Sequence, residues 1–187
     1  CRMGARAPRG LSGGMDVTYY VAASLDGYIA TPEGGTAWLK VFETGHEDYG
    51  YAAFYAGVDA VFMGSRTFEA CLRFPRWPYA DKPCWVFSSR RFERVPPGVT
   101  VVNETPAQLL ARLESRWLKR AWLTGGGKLA ASFAAQGLIR EYVVSIMPVL
   151  LGRGVPLLDG ISMPEELNLV DARRFANGVM QLRYSAG

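Results

Sequence analysis

Histidine is almost missing from this chain. Its 187 residues include one, His46. A Ser-His-Asp triad or a histidine-bearing zinc cluster would have to be built on that residue, and no matching motif surrounds it. Cysteine is scarce as well. Cys1, Cys71 and Cys84 are odd in number and show no Cys-x-x-Cys spacing. That argues against a disulfide framework and makes reduced thiols in a cytoplasmic protein the expectation. No run approaches the roughly 20 apolar residues of a membrane span, and the first residues carry no apolar segment of a secretory leader. Repeats and a second composition regime are also lacking, so one domain is expected.

A basic nucleic-acid-binding face is a further absence. The net charge is +4 and the pI about 9.1, but residues 1–14 hold Arg2, Arg6 and Arg9 and no acid. Most of the excess lies in that stretch, which reads as a flexible tail ahead of a domain spanning 15–187. Nucleic-acid binding needs Lys and Arg clustered on a structured surface, so no such partner is expected. What the chain does have is core material: 49% hydrophobic and 12% aromatic residues are enough for a full interior.

The chain is organised around Arg120-Ala121-Trp122-Leu123-Thr124-Gly125-Gly126-Gly127-Lys128-Leu129-Ala130. A short apolar run enters three glycines, and a helical pattern over 128–138 follows at once. Glycine lets a ligand approach the backbone, and a helix start offers unpaired N–H groups with a partial positive charge. The combination makes a cradle for a phosphate or pyrophosphate. The run is not Gly-x-Gly-x-x-Gly and no Lys-Ser/Thr follows it, and an isolated glycine cluster serves equally as a tight turn that binds nothing.

Two other strands end in the same manner. Residues 59–63 lead into Gly64-Ser65-Arg66-Thr67 and a short helix over 68–72; residues 83–87 lead into Ser88-Ser89-Arg90-Arg91. Hydroxyls and guanidiniums at a strand end suit a phosphate monoester, although a solvated polar turn has the same composition. Residues 16–23 form a buried strand followed by a turn at Asp26-Gly27. A helix is expected over 47–57 from apolar residues at Tyr51, Phe54, Tyr55 and Val58, with Asp48 in its first turn. Residues 99–102 form a strand. Thr105-Pro106 with Gln108 predicts a capping box, and Leu109, Leu110, Leu113 and Trp117 supply that helix's apolar face. Residues 138–151 are β-rich, 151–158 read as loop, and 167–172 with 179–184 form a closing hairpin around Asn177-Gly178.

Strand–helix alternation followed by strands alone predicts an α/β fold: a mostly parallel twisted sheet, helices on both faces and an antiparallel C-terminal edge. Strand C-termini then lie along one edge, where ligands bind. Three anion turns on that edge fit an extended diphosphate with a further phosphate.

These motifs resemble the dihydrofolate reductase-like superfamily, in particular stand-alone domains similar to the reductase half of the riboflavin-biosynthesis deaminase-reductase. The resemblance covers about residues 15–185. It rests on Ser24-Leu25-Asp26-Gly27-Tyr28-Ile29-Ala30, Met63-Gly64-Ser65-Arg66-Thr67-Phe68-Glu69, Val86-Phe87-Ser88-Ser89, Leu123-Thr124-Gly125-Gly126-Gly127 and Pro148-Val149-Leu150-Leu151-Gly152-Arg153-Gly154, in that order. It implies a three-layer α/β/α fold, a homodimer and NADPH as cofactor. Gly125, Gly126, Gly127, Lys128 and Leu129 would take the pyrophosphate, flanked by Gly64, Ser65, Arg66 and Thr67. Ser88, Ser89 and Arg90 would surround the 2′-phosphate, and the backbone of Ala22 and Ala23 would meet the nicotinamide. The family often has Gly-Arg-x-Thr where this chain has Gly64-Ser65-Arg66-Thr67, so a preference for NADPH over NADH falls more on Arg90 and Arg91.

Two acids are candidates for the proton-transfer side of hydride transfer. Asp48 stands ahead of Gly64 at the spacing of the folate enzymes' acid. Asp26 corresponds to an Asp that faces the substrate region in riboflavin-type relatives. Ser24 and Arg153 join them as candidate substrate contacts, Arg153 either meeting a substrate phosphate or capping a loop. The deaminase half has no counterpart, because Cys84 lacks a second cysteine and no His-x-Glu precedes it. The resulting expectation is an NADPH-dependent reductase of a C=N or C=O bond in a small pyrimidine, ribityl or pterin-like heterocycle. The alternative is a non-catalytic NADP-binding or redox-sensing module on the same fold.

Overall fold

The computed structural model of the chain describes residues 14–43, 47–114 and 116–187. His46 and nearly all of the expected tail lie outside the described residues. In chain order the elements are β1 (Asp16–Ser24), β2 (Tyr28–Ala30), a 3₁₀ turn (Ala37–Phe42), α1 (Tyr51–Ala56), β3 (Ala60–Gly64), α2 (Ser65–Cys71), β4 (Cys84–Phe87), β5 (Val99–Val102), α3 (Pro106–Leu113), β6 (Arg120–Gly125), α4 (Gly127–Ala135), β7 (Glu141–Met147), β8 (Val155–Pro156), β9 (Leu167–Arg174) and β10 (Met180–Ala186).

Eight strands form one sheet in the order β5-β4-β3-β6-β1-β7-β10-β9, and β2 with β8 makes a separate two-stranded pair. The strands from β5 to β7 are parallel; β10 runs antiparallel to β7 and to β9. This is the dihydrofolate reductase-like arrangement expected from the sequence. Among the described residues, no helix is long and apolar enough to cross a membrane.

The parallel strands are apolar on both faces because both faces are covered. Val17, Tyr19, Ala60, Phe62, Trp85 and Leu123 point into one core, closed by Leu109 and Leu113 of α3 and Phe133 of α4. The alternate residues Val61, Met63, Val86 and Trp122 enter a second core against Phe68 of α2, with Phe54 and Tyr55 of α1 packed beside it. The helix α3 starts with the expected capping box: the Thr105 hydroxyl accepts from Gln108 N–H, and the Gln108 side chain accepts from Thr105 N–H.

Several local expectations are corrected. The helix expected over 47–57 is only α1, because Tyr49 at φ 55° and Gly50 at φ 82° turn the chain left-handed just before it. Asp48 therefore lies ahead of the helix. The helix after Gly64 starts at Ser65, three residues earlier than read. Trp117 is not on the face of α3, which ends at Leu113, and the residue is 93% exposed. Residues 151–158, read as loop, contain β8, whose pairing with β2 folds this segment back over the end of the sheet.

That fold-back is packed without slack. A Cβ at Gly127 would stand 2.1 Å from the Pro156 carbonyl oxygen, and one at Gly154 would stand 2.2 Å from that of Ala30. Leu157 N–H donates to Gly27 C=O at 2.9 Å, and the Tyr19 hydroxyl donates to Leu157 C=O at 2.8 Å. Gly127→Ala is therefore expected to lower stability by about 1–3 kcal/mol, the usual range for overpacking, seen as a lower urea midpoint at unchanged m-value.

Candidate functional site

The site begins where two neighbouring strands part. β1 and β6 are paired only as far as Tyr19 and Leu123, whereas β1 stays paired with β7 to Ser24. Asp16 N–H donates toward the β6 side, to Lys119 C=O, while Val17 C=O accepts from Arg140 N–H on the β7 side. In an extended strand alternate residues repeat the same direction, so the N–H and C=O of Ala22 face the gap that β6 has left. The Tyr20 carbonyl, on the same side, is taken by Trp122 Nε1 at 2.9 Å. Ala23 and Ser24 are buried.

Beyond the gap, β6 turns into Gly125 at φ 116° and then into α4, while its neighbour β3 turns at Gly64 into α2. The Thr124 hydroxyl donates to Phe62 C=O at 3.2 Å and ties the two strand ends together. Neither helix start carries a side-chain cap. Four glycines meet here for two different reasons. The chain itself demands Gly125, through its positive φ, and Gly127, through the Pro156 contact. Gly64 and Gly126 have φ of −84° and −78°, open to any residue. A Cβ there would meet protein no closer than 3.7 Å and 3.9 Å, the latter at Thr67 Oγ1. Neither φ nor the protein packed around them requires glycine at these two positions. Ser65, Arg66 and Thr67 form the first turn of α2, and Lys128 and Leu129 that of α4. Leu129 Cβ lies 3.8 Å from the Gly64 position.

On the same edge, Ser88 and Ser89 follow β4, which is next to β3. Ser88 Oγ accepts from Arg90 N–H at 3.0 Å. The Arg90 guanidinium is paired with Glu69 on α2 at 3.1 Å and lies 5.6 Å over the Phe92 ring. Arg90 is thus engaged with protein groups, its guanidinium paired to Glu69 through one nitrogen and its side chain about half exposed.

The two candidate acids stand on different loops and make different contacts. Asp26 clasps the β1–β2 turn to the 148–153 loop. Its carboxylate accepts from Ser24 Oγ at 2.6 Å, Leu151 N–H at 3.1 Å and Gly152 N–H at 2.6 Å. These bonds, the Ser24 hydroxyl first, hold it below the ordinary carboxylate range. Asp48 accepts from Gly50 N–H at 2.9 Å and Ala52 N–H at 3.0 Å, and these two amides, Ala52 first, hold it low as well. Both are carboxylates at neutral pH, able to orient water or relay a proton rather than to store one. Arg153 lies on the Asp26-clasped loop; Glu33 is held below its usual range by its own backbone N–H first and the Thr31 hydroxyl next, with the Arg153 charge adding least.

Sequence reading missed a buried polar set beside Ala22. Ala22, Ser145 and Gln181 are register neighbours on adjacent strands. Gln181 Nε2 donates to Ser145 Oγ at 3.0 Å and to Tyr49 C=O at 2.9 Å. The signal was a polar residue in mid-strand of an otherwise apolar run, which when buried must find partners. The thiols of Cys71 and Cys84 are both buried. Burial pushes them up to about 11 and about 12, so neither is a thiolate nucleophile at neutral pH.

Residues 16–181 match the model of the RibD C-terminal domain. YwjB of Bacillus subtilis, named as uncharacterized, is 37% identical over 88% of this chain and 94% of its own length. A solved structure from Shewanella sp. PV-4 that carries a riboflavin-biosynthesis name superposes with a TM-score of 0.83 at 30% identity, over 92% of this chain and 99% of that one. The diaminohydroxyphosphoribosylaminopyrimidine deaminase/5-amino-6-(5-phosphoribosylamino)uracil reductase of Thermotoga maritima superposes with a TM-score of 0.70 at 17% identity, over 93% of this chain and 57% of that one. At that identity the likeness is one of fold.

The Asp26 clasp has a definite pH dependence. A lowered carboxylate stabilises the folded loop fully above its ordinary value of 3.8 and ceases to do so as the pH falls through its folded value. The Gly152 amide proton shift should therefore titrate with a midpoint below 3.8, and Asp26→Asn should abolish that titration.

Proposed function

The chain belongs to the RibD C-terminal domain family, and on that premise we propose that it is an NADPH-dependent oxidoreductase acting on a C=N or C=O bond of a small pyrimidine, ribityl or pterin-like heterocycle. The observation that carries this reading is the pair of glycines at 64 and 126, which neither φ nor packing requires. A ligand lying against two adjacent uncapped helix starts accounts for both. NADPH, when bound, supplies the hydride.

In this reading the backbone of Gly125, Gly126 and Gly127, with Lys128 and Leu129, holds the pyrophosphate, and Gly64, Ser65, Arg66 and Thr67 border it. Ser88, Ser89 and Arg90 receive the 2′-phosphate. The edge amide and carbonyl of Ala22 orient the nicotinamide amide in the gap between β1 and β6, with Ala23 behind. Asp26, Asp48 and Arg153 line the substrate side, where an acid holds or relays the proton that balances hydride delivery; Ser24, expected there as a contact, is instead fully buried, its hydroxyl donating to Asp26 and accepting from Tyr28 N–H.

One observation favours the second reading, a non-catalytic NADP-binding or redox-sensing module: both acids are ionised and already accept backbone N–H groups. The two readings part on substrate turnover. We also propose a homodimer through the edge hairpin. Among the described residues β9 pairs only with β10, and Leu167, Leu169, Val170 and Met180 of the hairpin are exposed, a surface suited to a second copy.

Quenching of the five tryptophans should report NADPH binding at least tenfold tighter than NADH, about 1.4 kcal/mol. Gly126→Ala should reduce NADPH affinity at least tenfold, and an unchanged affinity would sink the pyrophosphate assignment. For a reductase, Asp48→Asn or Asp26→Asn lowers turnover with little change in NADPH affinity; full activity in both would remove both acids from the mechanism. Light scattering should give a dimer for the parent chain and a monomer for Leu169→Lys.

A further inference from the structure

The residue after Asp48 is held from outside its own segment. Tyr49 is the one non-glycine residue with positive φ among those described, at 55°, a conformation that side-chain-bearing residues keep only when their surroundings fix it. Nearly every group of Tyr49 is engaged. Its carbonyl accepts from the Tyr20 hydroxyl at 2.9 Å and from Gln181 Nε2 at 2.9 Å. Its hydroxyl donates to Phe42 C=O at 2.7 Å and accepts from Asn177 Nδ2 at 2.5 Å. Its ring stands edge-on to Phe175 at 5.0 Å.

Three of these partners, Phe175, Asn177 and Gln181, belong to the β9–β10 hairpin, more than a hundred residues away in sequence. Gln181 is itself buried at 8% exposure and anchored to Ser145 Oγ at 3.0 Å. The connection that carries Phe175 and Asn177 is closed by Gly178 N–H on Phe175 C=O at 3.0 Å and Phe175 N–H on Val179 C=O at 2.9 Å. The hairpin is thus a stiff body, and the short segment bearing Asp48 is fastened to it. Among the described residues the carboxylate of Asp48 bonds only forward, to Gly50 and Ala52 N–H, and neither contact ties it to the sheet.

We propose that Gln181 and Asn177 are positioning residues that set the place of Asp48 by gripping Tyr49, from the buried and the exposed side respectively. The inference rests on the reading of Asp48 as an acid on the substrate side. It assigns the hairpin a part in the site, although the hairpin lies at the opposite end of the sheet from the 88–91 turn.

The test uses the full chain with Gln181→Leu, which keeps the volume and removes the donor, and Asn177→Ala, which removes only the outer grip. Amide exchange in residues 47–52 is expected to rise at least tenfold in Gln181→Leu and severalfold in Asn177→Ala, with exchange in residues 121–125 unchanged. With NADPH and 5-amino-6-(5-phosphoribosylamino)uracil as the probe, kcat should fall about tenfold, KM and NADPH affinity staying within twofold. Unchanged exchange over 47–52 in both variants overturns the proposal, as does faster exchange with undiminished kcat. If Gln181→Leu exchanges globally, it has lost the fold, and Asn177→Ala decides. If the parent chain does not turn the probe over, the exchange result still decides whether the hairpin grips the segment, and the lack of turnover counts against the reductase reading alone.

Discussion

The parting of β1 from β6 after Tyr19 and Leu123 is the constraint on which the rest of the site depends. A strand in the middle of a parallel sheet ordinarily has both edges paired. Here β1 keeps β7 and loses β6, so the N–H and C=O of Ala22 are left at an open edge in the middle of the molecule. Ala22 itself is half-buried. The loss is possible because β6 leaves the sheet at once through Gly125 into α4, with β3 doing the same one strand away through Gly64. An open strand edge and two uncapped helix starts arise from one divergence of strands, and their relative placement is fixed by the sheet.

The two candidate carboxylates are both structural groups. Each accepts backbone N–H groups, which stabilises its anion and draws its pKa down. Asp26 uses that charge to close two loops that are remote in sequence, and Asp48 uses it to start a short helix that has no other side-chain cap. Proton transfer through either one therefore competes with the bonds that hold its loop. A group in this state is suited to passing a proton from water rather than keeping one in reserve.

What the sequence made legible was what local chemistry decides. Two-faced apolar strands, the Thr105–Gln108 capping box and the order of the glycine turns could all be read directly, because each is settled by residues within a few positions of one another. The extent of α1 could not. Its apolar spacing begins at Tyr51, and nothing local marks the left-handed turn at Tyr49, which is held by Tyr20 and Phe42 as well as by Asn177 and Gln181 of the hairpin. β8 was hidden because two residues, one a proline, give no alternation to read. Trp117 matched helical spacing after the helix had already ended. Of the site, residue types along the strand ends were legible; the engagement of Arg90 by Glu69 and of Asp26 by the 148–153 loop was not, since both depend on contacts made only once the sheet has formed.

The absent side chains at Gly127 and Gly154 have a consequence for how this fold can be altered. Each glycine lets backbone lie directly on backbone, Gly127 against Pro156 and Gly154 against Ala30. The segment over the sheet's end is thus fitted to the start of α4 and to β2 simultaneously. It cannot be exchanged as a module for the corresponding loop of a relative in the way an ordinary surface loop can. A graft that changes what the site accepts would have to carry all three segments together, or confine its changes to side chains that point away from those two contacts.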